Sequence, residues 1–495
     1  MIFRETWVVM VNANGKRKWS GCAPLVAAIL VTMLTNAAQG EPQTARAPNL
    51  IFILVDDMGY NDLSFTGQQN FRTPRLDRMA EEGLFLAHHY AGSTVCAPSR
   101  AALLTGNHTG RVYQRGNSIP GPPRREIQFR RDPHDITIAT RLKEVGYHTA
   151  MIGKSGLACN SDDAELPSDK GFDHFFGFLA HRAAHRHYPT HLYRNGERIT
   201  IEGNHGKEGE VYAGDLFLED VLTYLGQRAE AEEPFFLHFA LQQPHADLAA
   251  PDEFRDRYVD RFDDEVPHPE GRHYRAESQP KATYAAMIAY LDHSVGAVLD
   301  QLTELGLAEN TLVLFSSDNG SYSEGGYHHS MMGSNDPFRG GKRDLYEGGI
   351  RVPTIAWWPG TIPAGSVSDH PSAFWDFPPT ALELAGLPAP ESMDGISYVP
   401  TLLGNPEQQA THAYLYWEFY EQGGKQAIRQ GDWKGVRLNV IRDPGQPLEL
   451  YNLADDPGEQ TNLAGQHPEI VARLEALMEE AHQPSEHFSL PPVGQ

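Results

Sequence analysis

Cysteine is scarce in this chain of 495 residues, which contains only Cys22, Cys96 and Cys159. So few cysteines exclude a small domain held together mainly by disulfides. A single Cys96–Cys159 bridge is still possible by count. Any chemical role for Cys96 is therefore an alternative to that bridge.

Positive charge is also in short supply, with 41 Lys and Arg against 65 Asp and Glu and a formal net charge of -24. A nucleic-acid or anionic-membrane partner would require a broad basic surface, so neither is expected. A small anionic substrate remains compatible, because a few local cations can bind one inside an acidic protein.

The sequence lacks a hydrophobic run of the length that a bilayer requires. The apolar stretch at residues 25–34 is roughly half of the ~20 residues in a membrane span, so no stable membrane span is expected. Lys16, Arg17 and Lys18 precede this stretch, and small residues follow it up to Gly40. This layout is typical of a signal peptide, so we expect residues 1–40 to direct export to the periplasm or the medium.

Apolar runs alternate with helical periodicity from Ala47 onward. Nearly continuous apolar runs predict buried strands at residues 49–55, 84–90, 147–152, 234–241 and 311–317. Helices are predicted between them at residues 74–82, 136–145, 216–228 and 285–305. The sequence therefore predicts an α/β fold with a large, mostly parallel central sheet and helices on both faces.

The pattern changes near residue 405. Short strand-like runs at 413–419, 427–429, 433–438 and 448–451 precede a helical segment at 467–481. This order predicts a smaller α+β unit with a short antiparallel sheet and one helix. We therefore expect a signal peptide at 1–40, a main domain at 41–405 and a C-terminal subdomain at 406–495.

Polar side chains follow several predicted strands, at the edge of the sheet where ligands gather. Lys154 and His245 each follow one strand, and the other positions are Asp56, Asp57, Asp318 and Asn319. Adjacent carboxylates repel each other unless a cation lies between them, and an all-oxygen set suits calcium or magnesium better than zinc. The alternative is that the aspartate pair caps a helix and that residues 318–320 form a turn.

Cys96 opens the sharpest local motif, Cys96-Ala97-Pro98-Ser99-Arg100. Pro98 suits the first turn of a helix, which would place Cys96 at a helix N-terminus that favours an anion. Arg100 adds forked donors for a tetrahedral oxyanion. These residues alone are compatible with a reactive thiolate, as in a cysteine phosphatase, or with a buried structural cysteine.

The Cys96 motif, continued by Thr105-Gly106, resembles the signature of type I, formylglycine-dependent sulfatases of the alkaline phosphatase-like superfamily. Other segments resemble that family in matching order, at residues 49–59, 314–320, 338–353, 430–434 and 450–457. The resemblance includes bacterial arylsulfatases and polysaccharide sulfatases and spans residues 47–465. It implies an alkaline phosphatase-like fold, with the sulfatase catalytic domain at 41–405.

The resemblance implies a sulfuric ester hydrolase in which Cys96 is oxidised to formylglycine. A formylglycine-generating or anaerobic sulfatase-maturating enzyme would be the partner for that step. The hydrated aldehyde would supply the nucleophile, and its second hydroxyl would allow sulfate to leave. Calcium, or magnesium, would be bound by a set that includes the modified residue, namely Asp56, Asp57, Cys96, Asp318 and Asn319.

The resemblance also assigns roles to four basic residues around residue 96. Arg100, Lys154 and Lys342 would bind the sulfate oxygens as charge shifts in the transition state. His245 would lie at the leaving-group oxygen and, with Lys342, donate a proton to it. The predicted catalytic set is therefore Cys96, Arg100, Lys154, His245 and Lys342.

One position departs from the family pattern. Many members carry a histidine two residues after the lysine, where it assists sulfate release, but this chain has Gly156. His181, His185 and His187 lie in a histidine-rich run that could reach the pocket and supply a base or bind substrate. The alternative is a solvated basic loop.

Three functions follow from these residues. The first is hydrolysis of a sulfate ester on a small molecule or glycan. A sulfated carbohydrate is the expected substrate, because the chain is expected to be exported and because members of the family commonly act on such substrates. The second is a phosphonate or phosphodiester hydrolase of the same superfamily. The third is a sulfated-glycan binder without turnover, which Gly156 favours and the intact set of Cys96, Arg100, Lys154, His245 and Lys342 disfavours.

Overall fold

The computed structural model describes residues 46–120, 125–126, 136–158, 166–271 and 273–491. The predicted signal peptide at 1–40 and two cysteines, Cys22 and Cys159, lie outside these residues. The signal peptide therefore stays a prediction, and the Cys96–Cys159 bridge stays an untested alternative. Among the described residues, no helix combines the length and the apolar character needed to cross a membrane.

Helices and strands alternate along much of the described chain. The α-helices are α1 (Pro74–Glu82), α2 (Cys96–Thr105), α3 (Ile138–Glu144), α4 (Ala213–Ala229), α5 (Asp252–Arg255), α6 (Pro280–Glu304), α7 (Glu347–Ile350), α8 (Phe377–Leu384), α9 (Val399–Leu402) and α10 (Pro468–Ala481). The β-strands are β1 (Asn49–Asp56), β2 (Leu84–Leu86), β3 (His89–Tyr90), β4 (Ser118–Ile119), β5 (Arg125–Glu126), β6 (His148–Ala158), β7 (His174–Ala180), β8 (His191–Arg194), β9 (Glu197–Thr200), β10 (Phe235–Pro244), β11 (Thr311–Ser317), β12 (Ser323–Glu324), β13 (Tyr327–His328), β14 (Ile355–Trp357), β15 (Ser366–Ser368), β16 (Ser372–Ala373), β17 (Leu415–Phe419), β18 (Lys425–Gln430), β19 (Trp433–Leu438) and β20 (Glu449–Asn452).

The central sheet of the described residues has ten strands in the order β15-β2-β14-β11-β1-β10-β6-β7-β8-β9. Its middle strands, β11, β1, β10, β6 and β7, run parallel. Antiparallel pairs flank them, β14 on β11 at one side and β8 on β7 at the other. The prediction of a large, mostly parallel sheet is confirmed.

Strand β1 shows how the helices cover both faces, because successive side chains of a strand point to opposite sides. Ile51, Ile53 and Val55 belong to the apolar core that also contains the buried faces of α1, α4 and α6. Leu50, Phe52 and Leu54 belong to a second core with α2, α3 and α8. The nearly continuous apolar run in the sequence therefore reflects a strand that is buried on both faces.

The C-terminal region contains a four-stranded antiparallel sheet in the order β17-β18-β19-β20. Buried side chains of α10, among them Leu474 and Met478, share an apolar cluster with Tyr416 and Ile428 of this sheet. The predicted α+β character of this region is confirmed. The division at residues 405 and 406 stays a prediction.

Several predicted strands differ in their bounds from the observed ones; β10, for example, continues to Pro244 and does not end at residue 241. The run at 84–90 is divided into β2 and β3, which pair with β15 and β16 of different sheets. The sequence predicts that β6 ends at residue 152, but the strand extends to Ala158, because its backbone keeps pairing with β7 through Lys154 opposite Phe178. Lys154 therefore lies within the strand and not after its end.

Candidate active site

The side chains expected to form a site converge at the carboxyl edge of the parallel strands. Asp56 is the last residue of β1, while His245 directly follows β10. Asp318 and Asn319 directly follow β11. All of these residues are buried, and β1 lies between β10 and β11, so the sheet order brings the three strand ends together.

Cys96 is the first residue of α2 and is buried. Burial raises the pKa of its thiol to about 12, although Lys154 and Lys342 act in the opposite direction. A thiol that stays protonated is a poor nucleophile, so the position gives little support to a reactive thiolate.

The three aspartates are held in fixed positions by hydrogen bonds. Asp57 has a left-handed backbone (φ 68°), and its N–H donates to Asp318 Oδ1 at 3.1 Å. Asn319 Nδ2 donates to Asp57 Oδ1 at 2.7 Å. Burial and the neighbouring Asp56 raise the pKa of Asp318 to about 7. The buried carboxylates therefore repel each other when they are ionised.

Two oxygens of this cluster test whether the residues fit a metal ion. Asp56 Oδ1 and Asn319 Oδ1 are buried and accept no hydrogen bond from any described residue. Buried acceptors without a partner are costly unless a cation satisfies them. One ligand atom from each of Asp56, Asp57, Cys96 and His245 also lies within 4.8 Å of the others. Asp318 is not in that group, and both of its oxygens already accept hydrogen bonds, so its place in the predicted ligand set stays a prediction. The unpaired oxygens of Asp56 and Asn319 fit a hard cation.

Three buried cations neutralise the aspartates. Arg100 donates to Asp318 Oδ2 from Nε at 3.0 Å and from Nη2 at 2.8 Å, and to the Lys154 carbonyl at 2.9 Å. Lys154 Nζ donates to Asp56. Burial raises the pKa of Asp56, but Lys154, His245 and Arg100 together hold it below its usual range. With three aspartates against Arg100, Lys154 and Lys342, the cluster is formally neutral.

His245 and Lys342 form a pair on one side of the cluster. Lys342 Nζ lies 3.1 Å from His245 Nε2 and 2.6 Å from Asp57 Oδ2. The Nδ1 atom of His245 bonds to the Ala246 carbonyl, which assigns the proton to Nδ1 and leaves Nε2 as an acceptor. Burial, assisted by Lys342, lowers the pKa of His245, so the ring is neutral at neutral pH.

The structure gives a steric reason for glycine at position 156. Gly156 has a φ of 68°, and a Cβ placed there would lie 2.8 Å from Cδ of Arg100. Any side chain at this position would strain the backbone and press on the arginine that binds Asp318. A histidine at 156 would therefore require Arg100 to shift.

The histidine-rich run reaches the site. The His185 ring lies 4.0 Å from the His245 ring, centroid to centroid, and His181 lies 6.3 Å from His185. His187 Nε2 donates to the His245 carbonyl at 3.1 Å. Burial, with His245 second, lowers the pKa of His185 well below its usual value. This arrangement contradicts a fully solvated loop and places neutral imidazoles beside the Lys342–His245 pair.

Sequence reasoning missed a second pair at the rim of the site. Arg343 follows Lys342 directly, and its Nη1 bonds to Glu324, which also accepts the Tyr274 hydroxyl. Glu324 lies in β12, a two-residue strand of a short hairpin, so no period or strand end predicts its position. The one signal in the sequence is the adjacency of Arg343 to Lys342.

Comparison with known proteins gives matches over most of the chain. The sulfatase family model matches residues 48–387, and the model described as N-sulphoglucosamine sulphohydrolase, C-terminal, matches residues 339–484. Human arylsulfatase A is 31% identical, covering 88% of this chain and 87% of its own. Human N-acetylgalactosamine-6-sulfatase is 30% identical, covering 90% and 87%.

Solved structures agree with this placement. The crystal structure of Ps i-CgsB in complex with k-i-k-neocarrahexaose is 26% identical and superposes with a TM-score of 0.72, covering 90% of this chain and 95% of its own. The sulfatase family model alone matches more than half of the 495 residues, and the matched segment contains every residue of the buried ionic cluster. The chain therefore belongs to the sulfatase family, whose members hydrolyse sulfuric esters.

Proposed function

We propose that this sulfatase removes sulfate from a carbohydrate, using a formylglycine at position 96 and a bound calcium ion. The observation that supports the reaction best is the buried, formally neutral cluster in which three cations face three aspartates around Cys96. A divalent cation added to this cluster gives it a net positive charge, which suits an anionic sulfate monoester. The resemblance to N-acetylgalactosamine-6-sulfatases and to a protein crystallised with a neocarrahexaose favours a sulfated sugar.

The metal ligands in this proposal are the oxygens of Asp56, Asp57, Asp318 and Asn319, joined by residue 96. When bound, calcium supplies Lewis acidity next to residue 96 and to the sulfate oxygens. Magnesium is the second choice, because it prefers the same donors with stricter octahedral geometry. The unpaired oxygens of Asp56 and Asn319 support a cation at this place.

The roles of the chain's own residues follow from their contacts. Arg100 and Lys154, which donate to Asp318 and Asp56, bind the sulfate oxygens, where their charge stabilises the negative charge that shifts in the transition state. Lys342 carries the proton for the leaving oxygen, because His245 is neutral and offers only an accepting Nε2 to it. His245 and Asp57 then orient Lys342 by accepting two of its three protons.

Two steps outside the reaction belong to the same proposal. Oxidation of Cys96 to formylglycine requires a formylglycine-generating or anaerobic sulfatase-maturating enzyme as a partner. We also propose that residues 1–40 direct the chain to the periplasm or the medium, where sulfated glycans are met. A phosphonate or phosphodiester hydrolase is the alternative reaction, and a binder without turnover is the alternative class.

The test uses the full chain produced together with its maturation enzyme. Mass spectrometry of the peptide with residue 96 is expected to show formylglycine, and sulfate release from a sulfated sugar is expected to fall at least a thousandfold in Cys96→Ala. Removal of divalent metal by a chelator is expected to abolish release, and added calcium to restore it. Sulfate and phosphate esters of one alcohol are compared in parallel, and preference for the phosphate ester would overturn the proposal.

A further inference from the structure

The rim beside the leaving-group pair contains three polar side chains that the proposed reaction does not use. Glu324, Arg343 and Tyr274 are all partly exposed, whereas the catalytic cluster behind them is buried. One oxygen of Glu324 bonds to Arg343 Nη1, and the other accepts the Tyr274 hydroxyl. A carboxylate and a guanidinium placed side by side offer acceptors and donors together.

Several contacts fix this rim next to the catalytic residues. The Arg343 N–H donates to the Thr94 carbonyl at 3.0 Å, two residues before Cys96. Lys425 Nζ, from the C-terminal sheet, donates to the Arg343 carbonyl at 2.6 Å. A Cβ placed at Gly325 would lie 2.8 Å from Cβ of Ala246, so the hairpin after Glu324 packs on the residue that follows His245.

The backbone of Arg343 is unusual for an arginine. Its φ is 76°, a left-handed conformation that non-glycine residues rarely adopt. Such conformations cost free energy and are retained where the surrounding structure imposes them, often at ligand-binding positions. In this chain the backbone of Arg343 is held in that conformation by two hydrogen bonds, one from its N–H to Thr94 and one from Lys425 to its carbonyl. In this conformation the Arg343 side chain reaches Glu324.

The pair keeps spare hydrogen-bonding capacity. Apart from Nη1, no guanidinium N–H of Arg343 has a hydrogen-bond partner among the described residues, and its side chain is 30% exposed. Burial raises the pKa of Glu324, but Lys342, Arg343 and His245 outweigh it and hold the pKa below its usual range, so the carboxylate is ionised. A second anionic group on the substrate would lie next to this carboxylate, and repulsion between the two negative charges would disfavour binding.

We propose that Arg343 and Glu324 form a specificity site that binds an uncharged hydroxyl group of the sugar that carries the sulfate. Arg343 donates to the hydroxyl oxygen, and Glu324 accepts the hydroxyl proton. The preferred substrate class is then a sugar with a free hydroxyl near the sulfated carbon, and not one with a second sulfate or a carboxylate there. This inference depends on the proposed sulfatase activity on carbohydrates.

The test compares substrates that differ by one hydroxyl. The 6-sulfates of N-acetylgalactosamine, galactose and glucosamine are assayed first, and the best of them is then compared with its 3-deoxy and 4-deoxy counterparts. The wild type is expected to lose at least tenfold in kcat/KM on one deoxy substrate, because a site built to bind a hydroxyl is left unpaired without it. Arg343→Met and Glu324→Gln are expected to lose at least tenfold on the parent sugar and to show no further loss on that deoxy substrate.

Arg194→Met is the matched control. Arg194 also pairs with a carboxylate, Asp220 at 2.6 Å, but it lies in β8 and is not part of the Arg343–Glu324 pair. It is expected to keep the wild-type penalty for the deoxy substrate. If Arg343→Met and Glu324→Gln still lose the wild-type factor in kcat/KM on the deoxy substrate, the inference is overturned. It is also overturned if the wild type hydrolyses a disulfated sugar faster than the monosulfated one and Arg343→Met loses that difference. Sulfate release from 4-nitrophenyl sulfate but from none of the sugars would also overturn it, whereas release from no compound would overturn the proposed function instead.

Discussion

At the scale of single residues, the site is a balance of buried charges. Each of Asp56, Asp57 and Asp318 is bonded to a cation, and removal of any partner would leave a charge in a low-dielectric interior. The same balance explains why Gly156 matters, since its missing side chain gives Arg100 the space to bind Asp318. The departure from the family pattern at Gly156 is therefore matched to the position of Arg100.

The histidine-rich run gives a prediction at this scale. We expect His185→Ala to lower kcat by on the order of tenfold or more, because its ring packs on His245, and we expect the same direction for His181→Ala. Steady-state sulfate release measures the effect. His191→Ala serves as the control, because its ring packs on Tyr193 in β8. Unchanged kinetics in both His185→Ala and His181→Ala would remove the run from the mechanism.

Much of the site was predictable from residues at strand ends. Asp56, Asp318 and His245 follow apolar runs in the sequence, and the parallel sheet brings such ends to one edge. Only the family resemblance predicted Lys342 as a site residue, because it lies in an irregular segment between β13 and α7. No sequence pattern pointed to Glu324, because a two-residue strand is too short to show an alternation of apolar and polar residues. The position of Glu324 depends on contacts with residues distant in sequence.

At the scale of elements, a second group of buried charges joins the C-terminal sheet to helix α7. Lys434 of β19 lies 2.8 Å from Glu347 at the start of α7 and 2.9 Å from Glu459. All three side chains are fully buried. The Glu347 N–H also donates to Glu459 Oε2 at 2.6 Å. The C-terminal sheet thereby stabilises a segment that begins five residues after Lys342.

This cluster predicts a large loss of stability in Lys434→Met. Removing the lysine that Glu347 and Glu459 share leaves two buried carboxylates side by side, so we expect the free energy of unfolding to fall by about 3–5 kcal/mol. Lys143→Met is the control, because the Lys143–Asp173 pair is half exposed and is worth about 0–1 kcal/mol. Denaturant unfolding compares the two, and equal losses would contradict the prediction.

At the scale of the whole molecule, buried neutral histidines make the fold sensitive to acid. His238 lies in β10 with neither ring nitrogen hydrogen-bonded within the described residues, and burial lowers its pKa to about 3. Burial also lowers the pKa of His89 and His187 to about 4. The unfolded chain binds protons on these residues near pH 6.5, whereas the folded chain does not.

The sign of the effect follows from that difference. Their contribution to stability is complete above about pH 6.5 and is lost as the pH falls toward 3–4, by about 1.4 kcal/mol per pH unit for each group. We expect the free energy of unfolding to decline between pH 7 and pH 5, and to decline by about 2 kcal/mol less in His238→Leu. Urea unfolding at both pH values measures this. An equal decline in the two proteins would rule out His238 as a contributor.

The sequence by itself determined the parallel strands β1, β6, β10 and β11 with helices between them, the two-sided burial of these strands and the polar residues near their ends. These features are local, because apolar periodicity and strand-end position are properties of neighbouring residues. The sequence did not predict the strands β7 to β9 and β14 to β16. The tertiary structure alone decided that β6 continues past Lys154, that His185 packs on His245 and that Glu324 meets Arg343. Those outcomes depend on backbone pairing, ring packing and charge neutralisation between segments far apart in the chain, where burial makes each pairing strong.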